Sequence, residues 1–344
     1  MDPLPPFTDQ PHVTNATLSD VARAAGVSAI TVSRALNQPH LVRPGTLAKI
    51  QAAVRETGYA KNRAPLEPAT DRSKLVALIL PTVANPIFAD MVQAASDKLT
   101  DAGYQLLLGL ASYEVWREEI LVETVLSRRP DGIILTGTLH SDNTRRRLQS
   151  ISIPIVETWD MTPFPIDMLV GFSHEEVGNT VAARMLAKGY RRFAILTADD
   201  PRASRRHLGL QAALGRQGIE VVATDVVPTP ASLQLGREGC ARLLARHPDI
   251  ELVICSSDTL AQGAMTEAVS RGLRIPEDLA ILGFGDLNFA AHTYPPLSSV
   301  RVDGSLIGAL AAQAIVERLT GVPAPKRMPA VTDTGFQLIE RGST

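Results

Sequence analysis

From Lys74 onward the chain repeats one pattern: a short, almost wholly apolar run, then a helix-length amphipathic segment, then another apolar run. LVALILP (75–81), YQLLLGL (104–110), DGIILTG (131–137) and SIPIVET (152–158) make a first set. RFAILTA (192–198), IEVVATDVV (219–227), ELVICSS (251–257) and LAILGFG (279–285) make a second. Runs of this length without polar alternation predict strands buried on both faces, hence parallel sheets with helices on either side. In one intervening segment, starting near Ile87, residues Phe88, Met91, Val92, Ala95 and Leu99 share a helical face. Two doubly wound sets leave a crevice between them. Residues just beyond the carboxyl ends of the strands are the first to inspect for ligand chemistry.

The stretch 17–37, TLSDVARAAGVSAITVSRALN, is built differently. Leu18, Val21, Ala22 and Ala25 fall at helical spacing from a Thr17 cap, and Gly26 supplies a turn position that tolerates positive φ. Ser28 can cap a second helix carrying Ile30, Val32, Ala35 and Leu36. This is a helix-turn-helix whose second helix is short enough for a major groove and offers Ala29, Ile30, Thr31, Ser33 and Arg34 to it. A third helix over 46–56, with Leu47, Ile50 and Val54 at helical spacing, closes the small core. Enzymes also contain such helix pairs, but the charge here is skewed. Between 17 and 63 seven basic residues (Arg23, Arg34, Arg43, Lys49, Arg55, Lys61, Arg63) stand against Asp20 and Glu56, a net +5, whereas the whole chain carries about −2. That asymmetry suits a module that approaches phosphates, although a solvated basic face has the same composition.

The rest of the composition excludes more than it selects. At 344 residues the chain can bury two cores, and no apolar run is long enough to span a membrane. The start, MDPLPPFTDQPHVTNA, has neither a basic beginning nor an apolar centre, so it predicts a disordered arm over 1–16 and a cytoplasmic protein. Cys240 and Cys255 are far apart in apolar settings and read as core thiols in a reducing compartment. The seven histidines are scattered, and His174-Glu175 lacks the second histidine of a zinc helix, so no metal site is expected. There is no GxxxxGK[ST] loop and no GxSxG elbow, and Gly283-Phe284-Gly285 stops short of GxGxxG. No catalytic constellation and no cofactor are expected.

LSDVARAAGVS followed by TVSRALN resembles the DNA-reading headpiece of the lactose/galactose repressor (LacI) family. The resemblance continues through Asn85-Pro86-Ile87-Phe88, Arg206-His207-Leu208-Gly209, Ser257-Asp258 and IPEDLAILGFGD (275–286), so it covers nearly the whole chain. It implies an N-terminal all-α helix-turn-helix headpiece followed by an α/β two-lobed, periplasmic-binding-protein-like effector domain, with two doubly wound parallel sheets and three crossovers. On that basis the headpiece spans 17–63, a hinge or linker 64–74 and the effector domain 75–344. Lobe 1 is expected at 75–162 and 292–325, and lobe 2 at 163–291 and 326–344. A helix over 307–320 should return to the first lobe and residues 336–339 to the second.

By position, Ala29 and Ile30 occupy the family's specificity positions and Arg34 its base-reading arginine. Thr17, Thr31, Ser33 and Asn37 match residues that touch phosphates or brace the turn, with Ser28 as the cap. After the headpiece comes GYAKNRAP (58–65), which includes Tyr59, and Asn62 and Arg63 match the start of the family's hinge helix. Pro68 stands where that helix carries a wedging leucine, and an interior proline costs about 3 kcal/mol. Either Leu66 serves as the wedge from an irregular hinge or the segment is a plain linker.

For the effector, Arg206 matches the family arginine that grips the ligand, with Arg202 and Arg205 on the same stretch; a solvated helix start is the other reading. Asp258, after Ser257, either accepts hydrogen bonds from a ligand or caps a helix. Asn85 belongs to the NPF-like motif, and Phe88 either packs on a sugar face or fills the core. Two departures concern the pocket. The first Asp of the family's GFDD is Gly285, leaving Asp286, and the usual aspartate after IPIV is Trp159, with Glu157 two residues earlier. Fewer acidic positions beside several arginines favour an anionic ligand. Within the family the chain resembles the gluconate and idonate repressors through NRAP, FAD (88–90), GYQ (103–105), IPIVE with Asp160, and VGF (170–172), although Ser173-His174 replaces their Asp-Asn.

The expected function is therefore a homodimeric repressor of a carbohydrate catabolic operon. It binds a palindromic double-stranded operator and is released by a gluconate-like inducer. Response to a neutral sugar, action with a co-repressor, and a cytoplasmic sugar-binding protein without DNA are the alternatives.

Overall fold

The computed structural model describes residues 18–38, 41–57, 72–323, 328 and 330–344. The expectations for the arm, the hinge up to residue 71, Thr17, Tyr59, Asn62, Arg63, Leu66 and the side chain of Asn37 lie outside the described residues. The chain divides into two compact units, Met1–Asp71 and Arg72–Thr344.

In the first unit α1 (Leu18–Ala25), α2 (Ala29–Asn37) and α3 (Pro44–Thr57) stand where the apolar spacing puts them. Val21, Ala22, Val32, Ala35, Ile50 and Ala53 form the shared core. Gly26, at φ +64°, makes the turn between α1 and α2 in a conformation that disfavours a Cβ. Ile30, one of the residues offered to the groove, is 72% exposed. Two residues before Val32, it lies on the opposite side of a 3.6-residue helix.

The second unit holds the predicted alternation. Its elements are β1 (Leu75–Leu80), α4 (Ala89–Asp101), β2 (Gln105–Leu110), α5 (Val115–Ser127), β3 (Gly132–Thr136), α6 (Asp142–Gln149), β4 (Ile155–Thr158), β5 (Met168–Gly171) and α7 (His174–Ala187). They continue with β6 (Phe193–Ala198), α8 (Pro201–Gly215), β7 (Ala223–Val227), α9 (Leu233–Arg246), β8 (Leu252–Cys255), α10 (Asp258–Ser270) and β9 (Ala280–Gly285). The chain ends with β10 (Ser298–Arg301), α11 (Gly304–Leu319), β11 (Val331–Asp333) and β12 (Gln337–Ile339). One sheet runs β11-β5-β4-β3-β1-β2 and the other β12-β10-β9-β8-β6-β7. Only the β10–β12 pairing is antiparallel among the described strands. Val76, Leu78 and Leu80 of β1 are buried, each contributing about 1.5–3 kcal/mol relative to exposure.

Three crossovers join the lobes, but not at the expected boundaries. β5 pairs with β4, so lobe 1 extends to Gly171 instead of ending at 162. β10 pairs with β9, so lobe 2 extends to Arg301 instead of 291. β11 still pairs with β5 in lobe 1, and β12 pairs with β10 in lobe 2, so the third crossing follows Asp333. The physical reason is that β5, β10, β11 and β12 are only three or four residues long, so their sheet is chosen by ladder partners and not by an apolar run. The run 219–227 likewise forms a strand only from Ala223, because the Ile219 N–H closes the end of α8 on the Leu214 carbonyl (3.1 Å).

One close packing positions the site. A Cβ at Gly178 would collide with the Arg206 carbonyl, and one at Gly209 with that of Glu175. Backbone meets backbone where α7 crosses α8, and the first two turns of α7 are drawn against the second and third turns of α8.

Candidate functional site

In the headpiece the Ser28 hydroxyl accepts the Thr31 N–H (3.2 Å) and meets the Thr31 hydroxyl at 2.8 Å, so the expected cap is in place and α2 begins at a defined residue. Ala29, Ile30 and Arg34 are exposed, and Thr31 and Ser33 are half-buried. Ile30 and Arg34, four residues apart, share one face of α2. An apolar and a cationic side chain on an outward helix face form a surface suited to base edges and thymine methyl groups.

The crevice of the second unit holds a cavity of about 40 Å3 lined by both lobes. Lobe 1 contributes Asn85, Phe88 and Trp159; lobe 2 contributes His174, Asp200, Arg202, Arg206, Ser256, Ser257 and Phe284. Four of these follow closely after strands: Trp159 after β4, Asp200 two residues after β6, and Ser256 and Ser257 after β8. Asn85 caps a short 3-10 turn through Oδ1, which accepts the Ile87 N–H (3.3 Å). The edge of Phe88 meets Trp159, with ring centroids 5.3 Å apart.

Arg202 and Arg206 line the cavity and Arg205 stands beside them on α8; the three differ in what they hold. Arg202 grips Asp200 through Nε (3.1 Å) and Nη2 (2.9 Å) and lies over the Phe88 ring. Arg205 pairs with the buried Asp160 carboxylate (2.7 Å), which also accepts the Thr138 hydroxyl. Arg206 is buried, donates from Nη2 to the Ser256 carbonyl (2.9 Å), and lies 3.7 Å above the Phe284 ring. Among the described residues no carboxylate stands within ion-pairing distance of it. Burial is the main influence on its pKa, opposed by Asp200 and aided by Arg202, and lowers it to about 10. A desolvated cation with neutral partners favours an anion as its missing partner.

The Nη1 of Arg206 lies 3.2 Å from His174 Nδ1, and His174 Nε2 lies 2.9 Å from the Trp159 carbonyl oxygen. Guanidinium only donates, so Nδ1 is the acceptor and the imidazole proton sits on Nε2. Burial, then the charges of Arg206 and Arg202, hold the His174 pKa well below its ordinary value, and the ring is neutral. Trp159 has φ +65°, unusual for a residue with a side chain.

Several expected ligand residues are engaged elsewhere. Glu157 is fully buried behind the cavity: Oε2 accepts the Ile166 N–H (2.5 Å), and Oε1 faces His140 Nε2 at 3.4 Å and Arg145 at 3.9 Å. Glu157 lies within β4, whereas Trp159 follows the strand and has a positive φ, which breaks the strand alternation between them. Asp258 accepts the Ser299 hydroxyl and the Leu287 N–H, both at 2.6 Å, and so ties α10 to the strand ends. Burial raises its pKa to about 6. Its neighbour Ser257 caps α10 by accepting the Leu260 N–H (3.3 Å) and still lines the cavity. Asp286 is paired with Arg301 (2.7 Å) and Arg341 (2.6 Å) and lines a neighbouring depression.

Sequence reasoning missed His174, Asp200, Ser256 and Phe284 as cavity residues. The rule of inspecting strand ends reaches Asp200 and Ser256, whereas His174 drew notice only as half of a zinc motif and as a departure from Asp-Asn. Phe284 drew notice only through Gly285 beside it in the GFGD stretch; it is the penultimate residue of β9.

Residues 17–62 match the family description "Bacterial regulatory proteins, lacI family", and residues 182–344 match "Periplasmic binding protein-like domain". The HTH-type transcriptional regulator GntR of Pseudomonas aeruginosa is 36% identical over 330 residues, 95% of each chain. The HTH-type transcriptional regulator IdnR of Escherichia coli is 30% identical over 88% of this chain and 92% of its own. Among solved structures, a LacI-family transcriptional regulator from Silicibacter pomeroyi superposes with a TM-score of 0.81 at 31% identity, covering 95% of this chain and 99% of that one. The helix-turn-helix headpiece, the two parallel-sheet lobes and these likenesses along nearly the full length agree: the chain belongs to the LacI family of bacterial DNA-binding transcriptional regulators, not to a family of enzymes.

Proposed function

We propose that the protein represses a carbohydrate catabolic operon and leaves its palindromic operator when a sugar acid of the gluconate type enters the cleft. The observation that carries the anionic ligand is Arg206, a buried guanidinium whose direct partners are a carbonyl, an imidazole and an aromatic face. A ligand carboxylate supplies the absent charge, and the rings of Phe88 and Trp159 can lie along the carbon chain. The cavity is lined from both lobes, so a ligand that fills it touches both. Ligand capture and lobe geometry are then linked, and a difference in ligand affinity between two lobe arrangements of a few kcal/mol suffices to shift DNA binding.

A single headpiece reads one half-site, so the reading includes a cytoplasmic homodimer. It is supported by the apolar side chains left exposed along the edge strand β2 and on α5: Leu108, Leu110, Val115, Trp116 and Ile120. Within the headpiece, Ala29, Ile30 and Arg34 are assigned to base edges, and Ser28, Thr31, Ser33 and Asn37 to the turn and phosphates. Tyr59, Asn62 and Arg63 are assigned to DNA contacts and Leu66 to a wedge in the minor groove.

The test is binding of the purified chain to labelled DNA from upstream of its own gene cluster at fixed salt, with gluconate, glucose or neither. Specific binding weakened by gluconate alone is the expected result. Release by glucose alone overturns the sugar-acid reading, and tighter binding with gluconate overturns induction.

A further inference from the structure

We propose that His174 is a positioning residue that makes Arg206 a reader of carboxylates, holding the guanidinium through Nδ1 while Nε2–H anchors the pair to the Trp159 carbonyl of the opposite lobe. This rests on the reading of the cleft as a sugar-acid site and names the side chain that tunes it.

A guanidinium has five N–H donors and no acceptor. Arg206 spends one donor on the Ser256 carbonyl and one on His174, and its flat face rests on Phe284. Three different contacts therefore fix its plane, and the remaining N–H groups are available to a ligand. What matters is the charge of the residue at 174. An aspartate would hold Arg206 equally well and neutralise it, removing the reason to bind an anion. The imidazole offers a lone pair without a countercharge.

Its neutrality is set by the groups around it. A protonated ring would aim an N–H at Arg206, and Arg202 adds repulsion beyond it, while Asp200, the nearby acid, is gripped by Arg202. Phe172 meets the ring edge-to-face and Phe284 lies tilted beside it, with centroids 4.6 and 6.4 Å away. Burial and the two arginines outweigh the Trp159 carbonyl and Asp200, which act in the opposite direction, and the ring stays neutral.

The place of His174 in the chain adds a second property. It is the first residue of α7, directly after the first crossover. Arg206 sits on α8, bound to α7 through the Gly178 and Gly209 contacts, so histidine and arginine travel together. The Trp159 carbonyl belongs to lobe 1, so parting the lobes breaks Nε2–H···O and leaves the Nδ1 contact intact. The reader stays assembled in the open cleft, and closure adds the anchor.

Two substitutions separate the two nitrogens. His174→Asn places an acceptor close to the position of Nδ1 and gives up the Trp159 anchor. His174→Gln reaches the position of Nε2 and gives up the acceptor for Arg206. The full-length chain is titrated calorimetrically with gluconate and with glucitol, its uncharged counterpart, and the ratio of the two affinities is the readout; a merely structural loss lowers both and leaves their ratio unchanged. The expected result is a ratio kept within about threefold by His174→Asn and reduced by about tenfold or more by His174→Gln. An unchanged ratio in His174→Gln, or a ratio lost in His174→Asn, overturns the proposal; if the glutamine variant does not fold, the asparagine variant decides alone. Arg206→Met separates this from the wider reading. If the unsubstituted protein shows no preference for gluconate, the sugar-acid reading fails and this proposal fails with it. If the preference is abolished by Arg206→Met but untouched by His174→Gln, only the role of His174 falls.

Discussion

The two lobes have the same strand order, read from the C-terminal short strand to the outer edge, yet they bring opposite chemistry to the cleft between them. Lobe 1 supplies an aromatic wall, Phe88 and Trp159; lobe 2 supplies the cations Arg202 and Arg206. Their buried histidines show the same contrast. In lobe 1 the side chain of His140 is fully enclosed between Glu118 (2.7 Å) and Glu157 (3.4 Å). Burial alone would lower its pKa, but the hydrogen bond to Glu118 and the charges of both glutamates outweigh it and raise the value to about 9. In lobe 2 His174 faces arginines and is neutral. A shared fold places strand ends around a crevice; the side chains there decide which wall attracts charge.

The contrast can be broken by experiment. The largest expected effect is that of Arg206→Met, which should weaken gluconate binding by about a hundredfold while changing glucitol binding less than about threefold. Equal loss for both ligands in titration calorimetry would show that lobe 2 contributes packing and not charge. Next comes His140. Its folded pKa is raised, so its contribution to stability is complete below the unfolded value of about 6.5 and is lost as pH rises through about 9. His140→Gln should therefore cost on the order of 3 kcal/mol in urea unfolding near pH 6 and much less near pH 10. A cost independent of pH would mean that the imidazole is not charged between its glutamates.

Phe88→Ala tests the aromatic wall. We expect gluconate and glucitol affinities to fall together by about tenfold, as for a lost ring contact; a loss confined to gluconate would assign charge recognition to lobe 1 as well. The smallest effect concerns pH. Because His174 is held neutral, gluconate affinity should stay level between about pH 5.5 and 8, whereas a transition with a midpoint near 6.5 would mean that the ring protonates in the cleft.

Much of the architecture was legible in one dimension. Eight apolar runs gave the central strands, and the pattern through Leu18, Val21, Ala22, Val32 and Ala35 gave the headpiece. Those signals are strong because burial on both faces of a strand, or on one face of a short helix, imposes a period on the sequence. The short strands carry no such period, which is why all three crossovers were misplaced. At the site, Arg206, Arg202, Phe88, Asn85, Trp159 and Ser257 do meet around one cavity. Glu157, Asp258 and Asp286 were expected there because an acidic residue near a strand end can serve a ligand or the fold equally well. Ile166 and His140 claim the first, Ser299 and Leu287 the second, and Arg301 and Arg341 the third.

The sequence by itself determined a basic helix-turn-helix and two doubly wound sheets, because hydrophobic periodicity, helix caps and local charge are properties of neighbouring residues. Only the tertiary structure decided which of three adjacent arginines lacks an acid. Arg202, Arg205 and Arg206 are alike on one stretch of helix; Asp200, Asp160 and His174 distinguish them, and two of those partners arrive from other elements. The charge state of a buried group depends on what surrounds it in space, and that is settled by packing between α7 and α8 and between the two lobes, not by the order of residues along the chain.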